Sequence, residues 1–205
     1  MIKNPFVGIA GNIGVGKTTF TKNLAEKYNW LEYYESVIDN PYLDDFYINM
    51  NRWSFNLQVY FLQHRFESQI KISNDNQGVI QDRTIYEDVE IFAKNLHMMG
   101  NMSNRDWKTY NNLFNNMVQF LKKPDLIIYL KASTDTILSR IRKRNRDFEK
   151  NINPEYIYQL NKSYNNWAKN EKNLKIVTFE TDHFNIFEDE KQFLEMCHKI
   201  EDCLK

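Results

Sequence analysis

Short apolar runs alternate along the chain with longer stretches of helical periodicity. Five runs rich in Val, Ile, Leu or aromatic residues predict strands over 6–10, 31–35, 78–82, 126–130 and 174–179. Runs of this length are typical of parallel strands buried on both faces, and the stretches between them are typical of crossover helices. The pattern predicts an α/β fold: a single three-layer domain over 1–205 with a five-stranded parallel sheet and helices on both faces.

Capping signals mark several helix starts. Thr84-x-x-Glu87 and Ser103-x-x-Asp106 resemble capping boxes, and Asn153 stands before Pro154 at a first helical position. Helices are predicted over 53–72 and 85–99. A shorter, highly charged piece over 140–150 is expected to follow the fourth strand and its helix.

A glycine-rich octapeptide, GNIGVGKT over 11–18, follows the first predicted strand and precedes a helix. It matches G-x-x-x-x-G-K-[ST] in the context that confirms this motif. Its glycines allow backbone N–H groups to approach phosphate oxygens, and the helix that follows adds its positive dipole end. Lys17 can reach the β and γ phosphates, and the Thr18 hydroxyl can ligate Mg²⁺. We therefore expect nucleoside triphosphate binding by Gly11, Asn12, Ile13, Gly14, Val15, Gly16, Lys17, Thr18 and Thr19.

Polar residues close the second and third predicted strands at the edge of the sheet where ligands of open α/β sheets bind. Glu35 could accept a proton from an attacking hydroxyl, although a solvated glutamate at a strand end would have the same pattern. Asp82 suits a direct or water-mediated Mg²⁺ contact, which makes Thr18 and Asp82 the predicted metal residues. Arg83 suits an anionic group or an orienting pair with Glu35.

One dense basic cluster lies over 140–146, where five of seven residues are Arg or Lys. Such a cluster can be a solvated helix face. In a protein with a phosphate-binding loop it can instead close over the triphosphate as a lid, here about 140–152, and its arginines can stabilise the transferring phosphoryl group.

Charge balance and hydropathy narrow the function. The chain has 27 Lys plus Arg and 27 Asp plus Glu, and this neutral total argues against a nucleic acid polymer as partner. No run approaches the roughly 18 apolar residues of a membrane span, and the N-terminal run is expected to be a buried strand and not a signal peptide. Cys197 and Cys203 fit neither a metal knuckle nor a redox pair, so we expect reduced thiols and a cytoplasmic location.

Five segments in order resemble the deoxynucleoside kinase family, in particular its bacterial deoxyadenosine/deoxyguanosine kinase branch. They are GNIGVGKT, Glu35 with the following DNPYLDDFY, WSFNLQVYFLQHR, DRTIYED and RIRKRNRDFE, and together they span nearly the whole chain. The resemblance implies a P-loop kinase fold and transfer of the γ-phosphoryl group of ATP, with Mg²⁺, to the 5′-hydroxyl of a small-molecule deoxynucleoside.

The resemblance also implies residue roles. Glu35 resembles the general base, with Arg83 beside the 5′-hydroxyl and the phosphates. Gln58 resembles the side chain that pairs with the base, supported by Arg65 and Asp88. The remaining implied residues are Tyr47 and Glu149 at the sugar 3′-hydroxyl, Phe92 as a base-stacking aromatic opposite Trp53 or a neighbour, and Arg140, Arg144 and Arg146 in the lid.

Helical spacing agrees with part of this assignment. Gln58 and Arg65 are seven residues apart and share a helix face, with Phe61 and Leu62 between them. These apolar residues could wall a pocket for a flat base, although each taken singly is an ordinary core residue. A polar Gln–Arg–Asp set lined by aromatics is harder to explain as core, because buried polar groups need partners.

Several alternatives stay open at the level of sequence. The acceptor base favoured by the resemblance is adenine, but deoxyguanosine, deoxycytidine and broad specificity remain, since a glutamine amide can pair with several base edges. A nucleoside monophosphate kinase, such as a thymidylate kinase, shares the fold and the P-loop. A P-loop binding or switch module without an acceptor is a third class. The resemblance also implies a homodimer joined through helices such as those predicted over 53–72 and 85–99.

Overall fold

A computed structural model describes residues 2–34, 40–150, 152–186 and 188–205, without the side chain of Phe148. Five parallel strands form one sheet in the order β2-β3-β1-β4-β5. The strands are β1 Phe6–Ala10, β2 Leu31–Tyr33, β3 Val79–Asp82, β4 Leu126–Lys131 and β5 Ile176–Glu180. The predicted α/β architecture is confirmed, with β5 beginning two residues later than expected.

Helices occupy most of the chain between the strands. They are α1 Lys17–Tyr28, α2 Leu43–Ile48, α3 Met50–Asn74, α4 Ile85–Glu87, α5 Lys94–Met98, α6 Asn104–Val118, α7 Thr134–Arg144, α8 Pro154–Asn170 and α9 Glu190–Cys203. A π-helical segment, Asp88–Ala93, joins α4 to α5, and a 3₁₀ turn, Asp147–Glu149, follows α7. Capping contacts form at all three predicted starts: the Ser103 hydroxyl accepts the Asp106 N–H, Asn153 Oδ1 accepts the Glu155 N–H, and Glu87 Oε2 accepts the Thr84 N–H.

The charged piece expected over 140–150 is not separate from the preceding helix. The chain remains helical through Arg144, and Asn145 then adopts a left-handed conformation with φ 52° that ends α7. The cause is local: Ile137 and Ile141 are buried on one face of α7, so the arginines are its polar face and last turn. This placement corrects the boundary expected from the charge pattern.

Two hydrophobic clusters pack on opposite faces of the sheet. Val7 and Ile9 of β1 face the cluster that includes residues of α1, α7 and α9, while Ala10 faces the cluster built from α3, α6 and α8. β4 alternates in the same way, with Ile128 on the first face and Ile127 on the second. Burial on both faces explains why the strand sequences are continuously apolar.

The connections that leave β1 and β3 run in opposite directions across the sheet, although the two strands are neighbours. This arrangement leaves a crevice at their carboxyl ends, where ligands of open α/β sheets bind. None of the helices in the described part of the chain is long and apolar enough to span a membrane.

Candidate active site

The P-loop runs from the end of β1 to the start of α1 with three glycines at positive φ. Gly11 has φ 151°, and a Cβ there would lie 2.7 Å from the Leu130 carbonyl oxygen. Gly14 has φ 82°, and a Cβ there would lie 2.6 Å from Ile141 Cγ1. Both positions therefore require glycine, so the loop conformation follows from the motif.

The predicted P-loop residues divide between two cavities. Ile13, Gly14, Lys17 and Thr18 line a main cavity of about 620 Å³, whose other lining residues come from α2, α3, β3, the π-helical segment, α8 and the segment after α7. Val15, Gly16 and Thr19 line a second cavity of about 490 Å³. The Lys17 ammonium donates to the carbonyl oxygens of Gly11 at 2.9 Å and Asn12 at 3.1 Å.

Asn12 and Gly11 line neither cavity. The Asn12 amide donates to the Ile157 carbonyl at 3.0 Å, and its Oδ1 accepts the Ile13 N–H at 2.8 Å. The Asn12 side chain thus ties the loop to α8, and nucleotide binding by Asn12 stays a prediction.

Thr18 and Asp82 meet as the metal prediction requires. The Thr18 hydroxyl lies 2.6 Å from Asp82 Oδ2. Asp82 Oδ1 is buried without a hydrogen-bond partner in the described part of the chain. A hydroxyl and an unsatisfied carboxylate oxygen are oxygen ligands of the kind Mg²⁺ prefers, so these two residues fit a Mg²⁺ contact.

Arg83 begins the turn between β3 and α4 with an unusual backbone conformation. Its φ is 70°, which is rare for a residue with a Cβ, and its N–H donates to the Ile9 carbonyl at 3.0 Å. Its guanidinium carbon lies 4.2 Å from the centroid of the Phe92 ring, and its Nε lies 3.9 Å from Glu87 Oε1. The turn therefore directs a cation into the main cavity beside Lys17 and Asp82.

The opposite end of the main cavity carries the predicted base-recognition residues. Gln58, Asp88 and Phe92 all line it, together with Phe61. Gln58 is 2% exposed, and its Oε1 has no hydrogen-bond partner among the described residues. Asp88 and Phe92 lie in the π-helical segment, a feature that often marks functional sites. A buried amide oxygen without a partner at the wall of a cavity is suited to bind a polar ligand.

Arg65 stands behind this wall and does not line the cavity. Its Nε donates to Asp88 Oδ2 at 3.2 Å and its Nη1 donates to the Asp82 carbonyl at 3.2 Å. Arg65 holds the Asp88 carboxylate and the end of β3, which agrees with its expected support of the base-recognition residues, and direct contact with substrate stays a prediction.

Two residues that were expected to lie at the base pocket, Leu62 and Trp53, do not line the main cavity. Leu62 is fully buried in the core between α3 and its neighbours and does not reach the cavity. Trp53 packs against Tyr42, with 5.8 Å between ring centroids, and lies outside the cavity lining. The aromatic that lines the cavity from α3 is Phe61.

The rim of the main cavity is formed by the end of α7 and the 3₁₀ turn. Arg144 Nε donates to Glu149 Oε2 at 3.1 Å and its Nη2 donates to Oε1 of the same carboxylate. Arg146 Nη1 lies 4.0 Å from Glu149 Oε1. Tyr47 lines the cavity with these residues, so the expected sugar and lid residues are brought together.

Arg140 belongs to the other cavity. Its Nη1 donates to the Val15 carbonyl at 2.9 Å, and its Nη2 donates to the Thr181 carbonyl at 2.5 Å. It lines the second cavity with Lys143 and His183. Arg140 therefore braces the P-loop on the side away from Arg144 and Arg146.

Several residues that line the main cavity were not predicted from the sequence, and one predicted residue lies outside the described part of the chain. Leu43, Phe46 and Tyr156 line the main cavity; Leu43 and Phe46 lie within the DNPYLDDFY segment, whereas no sequence signal distinguished Tyr156. Burial raises the pKa of the Tyr156 hydroxyl well above its ordinary value. Glu35, the predicted base, lies outside the described residues.

Known proteins resemble the chain over nearly its full length. The sequence profile of the family described as deoxynucleoside kinase matches residues 7–205. The deoxyadenosine/deoxycytidine kinase of Bacillus subtilis is 38% identical over 200 residues, which are 97% of this chain and 92% of that protein. A deoxyadenosine kinase of Dictyostelium discoideum is 43% identical over 82% of this chain and 68% of its own length. The structure of a deoxyadenosine kinase from M. mycoides with bound dATP superposes with TM-score 0.84 and 31% identity, covering 96% of this chain and 99% of that one. With the P-loop, Asp82, Arg83 and Gln58 gathered around one cavity, this similarity shows that the chain belongs to the deoxynucleoside kinase family.

Proposed function

We propose that the chain transfers the γ-phosphoryl group of ATP to the 5′-hydroxyl of a deoxynucleoside, with deoxyadenosine as the preferred acceptor. The observation that carries the proposal is the shared lining of one cavity. Phosphate-binding Lys17 and Thr18 face the same space of about 620 Å³ as the buried Gln58 amide. A cavity of this size suits a small ligand, and its two polar ends suit a phosphate donor and a base.

The reaction needs few protein groups, because phosphoryl transfer depends mainly on positioning and charge stabilisation. In this proposal Glu35 is the base that removes the 5′-hydroxyl proton. The hydroxyl oxygen then forms a bond to the γ-phosphorus while the bond from that phosphorus to the β–γ bridging oxygen breaks, which releases ADP. Lys17 and Arg83 neutralise charge on the transferring group.

Thr18 and Asp82 are the residues that would hold Mg²⁺. The metal, when bound, would neutralise charge on the phosphates. The short Thr18–Asp82 contact and the unsatisfied Asp82 Oδ1 support this assignment.

The Gln58 amide supports adenine recognition. Its free Oε1 can accept from an exocyclic amino group while the amide N–H₂ donates to the adjacent ring nitrogen. Adenine and cytosine both present an amino group beside a ring acceptor on their pairing edge. Deoxycytidine is therefore the second candidate acceptor, and the B. subtilis relative is named for both nucleosides.

The second cavity supports placement of the donor's base. It adjoins Val15, Gly16 and Thr19 on the P-loop, and Phe184 and Ile186 give it apolar surface. In this proposal Arg140 holds the wall of that cavity, while Arg144 and Arg146 act on the phosphates from a lid of about 140–152. The same proposal includes a single kinase domain, a cytoplasmic location and a homodimer joined through α3 and the helical stretch from α4 to α5.

The test is a comparison of kcat/KM for the four deoxynucleosides, each assayed separately with ATP and Mg²⁺, with dTMP as a monophosphate acceptor. We expect phosphorylation of deoxyadenosine with the highest kcat/KM and of deoxycytidine at a lower value. Turnover of dTMP without turnover of any nucleoside would assign a monophosphate kinase. ATP consumption that is independent of every acceptor would indicate a switch or ATPase module.

A further inference from the structure

Glu87 is a buried carboxylate that the proposed reaction does not use. It is the acidic residue of the Thr84-x-x-Glu87 capping signal, and its Oε2 accepts the Thr84 N–H at 3.0 Å. A capping role alone would leave the other oxygen facing solvent, as at most helix starts. Here the residue is fully buried, and Oε1 has partners of its own.

Oε1 of Glu87 joins two further parts of the molecule. It accepts the N–H of Gly11, the first P-loop residue, at 3.3 Å and the hydroxyl of Tyr164 on α8 at 2.8 Å. Arg83 Nε lies 3.9 Å from the same oxygen. One carboxylate therefore connects the start of the P-loop, the turn that follows β3, and α8.

Glu87 contacts both the side chain of Arg83 and the backbone that follows it. Arg83 holds φ 70°, a conformation that a residue with a Cβ adopts only when its surroundings impose it. The next residue, Thr84, has its N–H fixed by Glu87. Glu87 thus acts on both the backbone of this turn and the charge of its arginine.

We propose that Glu87 is a positioning residue for phosphoryl transfer, which sets Arg83 and the Gly11 end of the P-loop in their reactive arrangement. This inference rests on the proposed kinase function. Glu87 does not line the main cavity, so it acts through Arg83 and Gly11 and not on the nucleoside.

The charges that face Glu87 come from several elements. Burial raises the pKa of its carboxyl to about 7, and Arg83 and Lys17 oppose that rise, as do hydrogen bonds from the Thr84 N–H and the Tyr164 hydroxyl. Tyr129 on β4 also interacts with it electrostatically. The ionised form is the one that can serve all three hydrogen-bond donors and both cations.

The test compares Glu87→Gln with wild type. An amide has one oxygen acceptor and an N–H₂ group, so it cannot accept from both backbone N–H groups and the Tyr164 hydroxyl, and it carries no charge opposite Arg83. We expect kcat to fall by about 10- to 100-fold, because small misplacements of catalytic groups have effects of this size. The KM for the nucleoside is expected to change less than about threefold, because the residues that line the base end are unaffected.

The matched control is Tyr164→Phe, which removes one donor to the same carboxylate and leaves the contacts with Gly11, Thr84 and Arg83. We expect its kcat to stay within about threefold of wild type. Glu87→Asp is the second variant: it retains the charge but is one methylene shorter, so it cannot reach the Gly11 and Thr84 N–H groups together. We expect it to show the loss in kcat even if Glu87→Gln does not fold.

The outcomes separate the two proposals. Loss of kcat at nearly constant KM in folded Glu87 variants, with Tyr164→Phe near wild type, supports the positioning role. A kcat near wild type in a folded Glu87→Gln or Glu87→Asp, or failure of both to fold, assigns Glu87 to structure alone and overturns the inference while wild-type activity keeps the proposed function. No phosphorylation of any deoxynucleoside by wild type overturns the proposed function, and this inference falls with it.

Discussion

Two arginine–glutamate pairs contribute an arginine to the main cavity, one pair in the interior and one at the rim, and the two pairs differ in exposure. In the interior pair, the side chains of Arg83 and Glu87 are 8% and 0% exposed. In the rim pair, those of Arg144 and Glu149 are 33% and 3% exposed. The interior pair is enclosed by β1, the P-loop and α8, whereas the rim pair links the last turn of α7 to the short 3₁₀ turn.

The difference separates an enclosed pair from a pair that is partly open to solvent. The interior pair is held by backbone hydrogen bonds to Gly11 and Thr84, which cannot be exchanged without disturbing the sheet edge. The rim pair is joined by contacts between two side chains. Because the Arg144 side chain is partly solvated, its attraction to Glu149 is weaker than that of an enclosed pair. The enclosed pair has the preorganisation that charge stabilisation in phosphoryl transfer requires. The rim pair belongs to the segment for which we propose a lid.

The largest effect is expected from Arg83→Met. The substitution removes the cation that we propose acts on the transferring phosphoryl group, and it leaves the Glu87 carboxylate buried without its arginine. We expect kcat to fall by about 10³-fold or more, and the free energy of unfolding to fall by about 3 kcal/mol. Steady-state kinetics with saturating nucleoside and urea unfolding measure the two quantities.

The matched rim substitution, Arg144→Met, is expected to separate activity from stability. In the proposed function Arg146 still acts on the phosphates, so we expect kcat to fall by about 10²-fold. Because the rim pair is partly exposed, the free energy of unfolding should change by no more than about 1 kcal/mol. A loss of stability as large as that of Arg83→Met would mean that the rim pair is a structural pair like the interior one.

The interior part of the site was largely predictable from sequence, since its residues follow motifs. The octapeptide over 11–18 fixes its own backbone through its glycines, and Asp82 and Arg83 close a strand whose position the apolar pattern predicts. The contacts that Asn12 and Arg65 make with the backbone were not predictable. Each points to a backbone carbonyl far away in sequence, and such contacts depend on packing between elements.

At the rim and the base end, sequence patterns predicted which residues take part but not how the structure arranges them. Charge density over 140–146 predicted one basic segment, but the periodicity of α7 directs Arg140 to the second cavity and leaves Arg144 at the first. Spacing also placed Asp88 and Phe92 on one face, and they do line one cavity, although the helix there has π geometry that spacing rules do not anticipate. Glu87 was recognised only as a cap, because nothing in the local pattern indicates that Gly11 lies above it.

A smaller effect is expected from Gln58→Met at the base end. The substitution removes the amide that we propose pairs with the base but retains an unbranched side chain. We expect kcat/KM for deoxyadenosine to fall by about 10- to 50-fold, because a polar edge of the base loses its partner. The free energy of unfolding should stay equal or rise, since Gln58 Oε1 is buried without a partner in the described chain. An unchanged kcat/KM would remove Gln58 from base recognition.

The smallest effect is a pH-dependent difference in thermal stability between wild type and Glu87→Gln. Because burial raises the pKa of Glu87 from 4.5 to about 7, the folded state binds more protons than the unfolded state between these values. The free energy of unfolding of wild type therefore falls, relative to that of the variant, as pH rises through that window. The stability that the protonated Glu87 carboxyl contributes is fully lost above about pH 7. Melting curves at pH 5.5 and pH 8 should show the Tm difference between the two proteins shifting by a few degrees.

The matched control for this measurement is Glu188→Gln, a substitution at an exposed glutamate. Its Tm difference from wild type is expected to be the same at both pH values. If Glu87→Gln behaved like this control, Glu87 would be ionised in the folded state throughout the range, stabilised by Arg83 and Lys17 beyond the cost of burial. The interior pair would then be a permanent ion pair, and protonation of Glu87 would have no part in the pH dependence of the enzyme.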